Sequence, residues 1–145
     1  MYSVIVGVGN PILGDDAVGL EVAKRLNGKI KADVKFAEAG GLELAEMIAE
    51  YEFAIIIDAV KGRKGVIEID VEEYEESVAN HDIAFPSAYR ILSRYIRMPR
   101  VRIVGIGING MEVREGLSEE IKKLIPVAVE KVKKIMEEED ELVAV

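Results

Sequence analysis

The chain has 145 residues, half of them apolar, and 19 basic against 27 acidic side chains give it a net charge of −8. One domain over residues 1–145 is expected, because domains run to about 100–200 residues, and the negative balance disfavours nucleic acid and anionic membranes as partners. Cysteine is absent, which excludes disulfides, thiolate metal sites and a cysteine nucleophile.

Tyr2–Val8 is a continuous apolar run that passes into Gly9, Asn10 and Pro11, the pattern of a buried strand entering a loop. From Ala17 onward Val18, Val22 and Leu26 recur at helical spacing until Asn27-Gly28, so Asp15 and Asp16 stand at the N-terminal end of a helix. Val34–Glu38 reads as a second strand, Leu42–Tyr51 as a helix, and Phe53–Ile57 as a buried third strand ending at Asp58. The connection Val60–Gly65 is too short for a crossover helix, so Val66–Val71 is expected to turn back antiparallel as an edge strand. Glu72–Ala84 is irregular and acidic; Pro86 then opens a helix through Ile96, and Val101–Ile108 is another buried strand. After the loop Asn109–Gly116, Ser118 begins a long helix that Pro126 should kink or divide and whose acid-rich end, Glu137–Val145, should fray.

This alternation predicts an α/β, three-layer sandwich around a mainly parallel five-stranded sheet, in the order 2-1-3-5 with strand four at an edge. Ligands in such sheets bind at the carboxyl ends of the strands where the order reverses, here between strands one and three, close to Asp16 and Asp58. No signal-like segment opens the chain, and no apolar run approaches the ~20 residues that span a bilayer, so a cytoplasmic protein is expected. Its acidic character suggests a monomer, and the absence of Thr and Gln beside abundant Glu, Lys, Ile and Val is a thermophile bias.

The loop Gly7-Val8-Gly9-Asn10-Pro11-Ile12 invites a dinucleotide reading, but Ile12 stands where the third glycine of G-x-G-x-x-G belongs. Asp15 and Asp16 also sit close to where a pyrophosphate would lie. One such like-charge pair at ~5 Å costs roughly 3 kcal/mol, against at most about 1 kcal/mol returned by the helix dipole. Gly9 and Gly14 have phosphate-loop spacing, yet Asp15-Asp16 replaces its Lys-Ser/Thr. The loop is built to meet a cation or a donor.

Asp16, Asp58 and His81, the sole histidine, form the constellation with the most chemistry: two carboxylates and one imidazole suit a borderline divalent ion such as nickel or zinc. Each also has an ordinary structural reading, as a helix cap, an acceptor of loop amides and a surface imidazole. Arg90, Arg94, Arg97, Arg100 and Arg102 lie in an acid-free stretch that is either a docking face for an acidic partner or surface charge balancing the glutamates. The acids from Glu68 to Glu76 read as a solvated edge that discourages strand pairing.

Gly7-Val8-Gly9-Asn10-Pro11-Ile12-Leu13-Gly14-Asp15-Asp16-Ala17-Val18-Gly19 closely resembles the opening signature of the hydrogenase maturation endopeptidases, G-x-G-N-x-x-x-x-D-[DE]-x-x-G. The likeness continues through Gly40-Gly41 before a helix, Ile56-Ile57-Asp58-Ala59, Asn80-His81 and Gly116-Leu117-Ser118. One departure is Glu38-Ala39-Gly40, where the family often carries Asp-Gly or Asp-Ala-Gly. The resemblance implies a phosphorylase/peptidyl-hydrolase-like fold and an endopeptidase, grouped with aspartic-type or metal-dependent proteases. Such an enzyme removes a C-terminal extension from the large-subunit precursor of a nickel-iron hydrogenase after nickel insertion. It also implies metal ligands at Asp16, Asp58 and His81, with either aspartate as catalytic base, and nickel that arrives with the precursor. Two other readings of the same residues are a non-catalytic nickel-binding or chaperone module, and a receiver-like phosphoacceptor domain using Asp15, Asp16 and Asp58. The receiver reading lacks a lysine at the end of the last strand, which is Ile106-Gly107-Ile108-Asn109.

Overall fold

Near-continuous runs of Val and Ile make strands buried on both faces, and three of them form the centre of the sheet. The computed structural model describes residues 1–38, 40–74, 83–110 and 112–144. Its strands are Ser3–Val8 (β1), Asp33–Ala37 (β2), Phe53–Lys61 (β3), Val66–Ile69 (β4) and Arg100–Ile108 (β5). They lie in the order β2-β1-β3-β5-β4, all parallel except β4, which runs antiparallel to β5 at the edge as expected.

Alternation along the strands divides the core between two helical layers. Ile5, Ile55, Ile57, Val104 and Ile106 belong to one apolar cluster with α1 (Val18–Leu26) and the last helix, α5 (Ile125–Ala144). Val4, Val6, Ala54, Ile56 and Ile103 join α2 (Gly41–Ile48) and α3 (Phe85–Leu92) in a second cluster. Each fully buried Val or Ile in these clusters contributes roughly 1.5–3 kcal/mol of transfer free energy. Among the described residues no helix is long and apolar enough to cross a membrane.

Several boundaries differ from the sequence expectation for physical reasons. A 3₁₀ turn, Gly14–Ala17, precedes α1. β3 does not stop before Asp58: Asp58, Ala59, Val60 and Lys61 pair in register with Gly105, Ile106, Gly107 and Ile108, so tertiary pairing carries the strand past residues of poor strand propensity. α3 ends at Leu92 and continues only as turns to Ile96. Pro126 divides the last helix outright, leaving α4 (Glu119–Lys122) and placing the proline in the first turn of α5, where no backbone donor is needed. The acid-rich end of α5 stays helical to Ala144, because the buried Glu139 pairs with Arg100 and Arg102, and Glu138 pairs with Arg102.

Candidate functional site

The loop after β1 is shaped by its glycines and Asn10. A side chain at Gly9 would collide with the backbone carbonyl of Asp16, so only glycine lets the loop fold back on the 3₁₀ turn. The Asn10 backbone N–H donates to Asp16 Oδ2 at 2.9 Å, and Asn10 Oδ1 accepts from the Ile12 N–H at 3.1 Å. Gly19 performs the close helix–strand approach for which the dinucleotide pattern would use position 12: a Cβ there would press against the carbonyls of Ile57 and Val8. Ile12 is correspondingly free to point outward and is exposed.

The two adjacent aspartates have different tasks. Asp15 Oδ1 accepts from the Ser118 N–H at 2.7 Å and Asp15 Oδ2 from the Ser118 hydroxyl at 2.9 Å, while Ser118 Oγ accepts from the Ile121 N–H at the start of α4. Asp15 is thereby committed to tying the first loop to the last helical segment, which removes the acidic pair that a receiver-like reading needs. Asp16 is fully buried, and its Oδ1 has no hydrogen-bond partner. A buried carboxylate oxygen without a donor is costly to maintain, by about 1–3 kcal/mol or more, and is the kind of atom a cation or an incoming donor would satisfy.

Asp58 is also fully buried. Its strand position follows Ala54 and Ile56, on the face covered by α2 and α3. Asp58 Oδ2 accepts from the Tyr74 hydroxyl at 2.7 Å, and the Tyr74 ring meets Phe85 edge-on with centroids 5.9 Å apart. The 3₁₀ turn carrying Asp16 packs against β3, so both carboxylates belong to the carboxyl end of the sheet, at the reversal between β1 and β3. His81 lies outside the described residues. Among the described residues no three Asp, Glu or His side chains stand together as a metal site.

Other expectations resolve differently. Tyr74, in a segment whose sequence is irregular and acidic, is buried and bonded to Asp58; its being a lone aromatic among glutamates is the one signal the sequence offers for it. Gly40 is the buried cap of α2 and Gly41 takes φ +60°, a conformation that favours glycine, while Glu38 is exposed. Three of the five arginines make ion pairs within the fold: Arg90 with Glu72, Arg100 with Glu139, and Arg102 with Glu68 in a two-pronged contact of 2.7 and 2.8 Å. The Arg102 guanidinium holds Glu68 below the ordinary carboxylate range against the opposing effect of burial. A polar depression of about 290 Å³ lies beside the first loop, lined by Gly14, Asn109, Gly110, Arg114 and Ser118 among others. The loop and the far segment are joined there by a bridge between Leu13 and Arg114.

The architecture is thus a three-layer α/β domain with two buried carboxylates at the sheet's switch point. Among solved structures it is that of the hydrogenase maturation endopeptidases. The chain is similar to the hydrogenase maturating endopeptidase HybD from E. coli, at 22% identity over 96% of this chain and 94% of that one, with a TM-score of 0.79. It is similar to the NiFe hydrogenase maturation protease HybD from Thermococcus kodakarensis, at 24% identity over 93% and 99% of the two chains, with a TM-score of 0.66. The same holds for the NiFe hydrogenase maturation protease HycI from Thermococcus kodakarensis KOD1, at 24% identity over 94% and 92%, with a TM-score of 0.66. Neither a family model nor a curated protein matches the sequence.

Proposed function

We propose that this chain is an endopeptidase that removes the C-terminal extension of a nickel-iron hydrogenase large-subunit precursor, with the nickel carried by that substrate as the recognition mark. The observation that carries the reading is the fully buried Asp16 carboxylate, whose Oδ1 has no partner, at the switch point of a fold shared with maturation proteases. The signature from Gly7 to Gly19 supports it independently.

In this reading Asp16, Asp58 and His81 complete the coordination of the precursor's nickel and so fix the scissile peptide beside a polarising ion. Asp16 or Asp58 takes the proton of the attacking water, and Tyr74 holds the Asp58 carboxylate in one orientation. The test is to mix the purified protein with nickel-loaded and nickel-free precursor and weigh the products by mass spectrometry. Loss of a C-terminal peptide from the loaded form alone is expected; cleavage of neither form of a matched precursor would leave only a nickel-binding module.

A further inference from the structure

Three cations stand at the site end of the sheet. Lys61 ends β3, three residues beyond Asp58 and so on the opposite face of the strand, and Arg63 and Lys64 lie in the loop that crosses the end of β5 to reach β4. All three are exposed, and none makes an ion pair among the described residues. The arrangement is built rather than loose. Gly62 and Gly65 take φ of +76° and +75° to close the turn, and the Gly107 N–H donates to the Gly65 carbonyl at 2.8 Å. A Cβ at Gly107 would collide with the Arg63 carbonyl and stand 2.8 Å from the Lys64 Cα, so the absent side chain on β5 is what seats the loop over the sheet's end. The arginine-rich stretch is no rival for this role. Arg90, Arg100 and Arg102 are paired, while Arg94 and Arg97 follow α3 toward the amino ends of the strands, where Arg97 C=O accepts from the Glu50 N–H.

We infer that the Lys61-Gly62-Arg63-Lys64 segment is a docking platform for an acidic segment of the precursor, holding it at the carboxyl end of the sheet, the end that carries Asp58. The inference rests on the endopeptidase reading and names the chemistry by which that substrate is gripped. A chain of net charge −8 repels an acidic partner over most of its surface, so unpaired cations at the rim of the site supply local attraction where it orients the substrate. The same net charge argues against nucleic acid as the occupant.

The charge-reversal variant K61E/R63E/K64E tests it, with K61Q/R63Q/K64Q as the milder form if the first does not fold by circular dichroism. With nickel-loaded precursor, KM should rise about tenfold with kcat within twofold, the equivalent of about 1.4 kcal/mol of binding. The wild-type KM should also rise between 50 and 300 mM salt while that of the variant stays flat. In parallel, a fluorescein-labelled oligoglutamate peptide should bind wild type and not the variant by anisotropy. Equal KM in both proteins, equal peptide binding, or capture of an oligodeoxythymidylate in place of the acidic peptide would overturn the platform. A wild type that binds the peptide but cuts no precursor would refute the endopeptidase and leave the acidic-peptide site standing.

Discussion

Replacing Gly19 by alanine tests the packing that brings Asp16 to the sheet. An added methyl at this position would stand 2.7 Å from the Val8 carbonyl oxygen and closer still to that of Ile57. A carbon–oxygen contact is ordinarily at least ~3.3 Å, so α1 must retreat by roughly 0.6 Å or more. Overpacking of this kind costs about 1–3 kcal/mol, and the better helix propensity of alanine recovers at most about 1 kcal/mol. The expected net loss of about 1 kcal/mol lowers Tm by about 2–4 °C in a domain of this size. Gly110→Ala is the control, since no atom lies within 4 Å of the added carbon and it should leave Tm within about 1 °C. Thermal and urea unfolding followed by circular dichroism measure both. A Gly19→Ala protein as stable as wild type would show that the helix does not rest on those carbonyls, and the account of the signature glycines would fall with it.

Asp16→Asn keeps an acceptor for the Asn10 N–H and replaces the oxygen that has no partner; its unfolding free energy from urea titration should stay within about 1 kcal/mol of wild type while precursor processing drops at least ~100-fold. A strongly unfolded protein, or one that still processes, contradicts this. Tyr74→Phe deletes the hydrogen bond to Asp58 and should cost about 1.5–3 kcal/mol in denaturant unfolding; a loss under 0.5 kcal/mol (by the same scale, about the noise of surface substitutions) argues against an ordered contact. Glu68 is held below its ordinary value of 4.5 by Arg102, so its contribution is present above pH 4.5 and disappears as pH falls through the lower folded value. Glu68→Gln should therefore lower stability at pH 7 by less than ~1 kcal/mol, given the pair's partial exposure, and converge with wild type toward pH 3. A gap that widens in acid would reverse the assigned sign.

The sheet order was readable because the signals that set it are local: buried apolar runs, the lengths of the connections, and the four-residue link after β3 that is too short for a crossover helix. The boundaries that escaped are set by distant partners. Asp58 and Lys61 are poor strand formers, and only the register with β5 extends β3 through them. Glu138 and Glu139 look like a solvated tail until Arg100 and Arg102 arrive from a strand more than 30 positions earlier. At the candidate site, composition pointed to Asp15 and Asp16 equally. Their division of labour depends on Ser118 and Asn10, and no spacing rule would assign one aspartate to each. Tyr74 was barely legible for a related reason: its partner is 16 residues away on β3, and a tyrosine among glutamates carries no periodicity.

The two hydrogen bonds from Ser118 to Asp15 close a loop of 103 residues. Non-local closures of this kind are rewarded only after intervening chain has been ordered, so they form late. During synthesis the first strand emerges long before Arg114 and Ser118 exist, and until then the segment bearing Asp16 lacks both of its ties to the far segment. The nascent chain therefore carries its chemistry in an unassembled form. A fragment truncated ahead of α4 should be inert rather than indiscriminately active, which is a useful property for a protein whose work would be cutting other polypeptides.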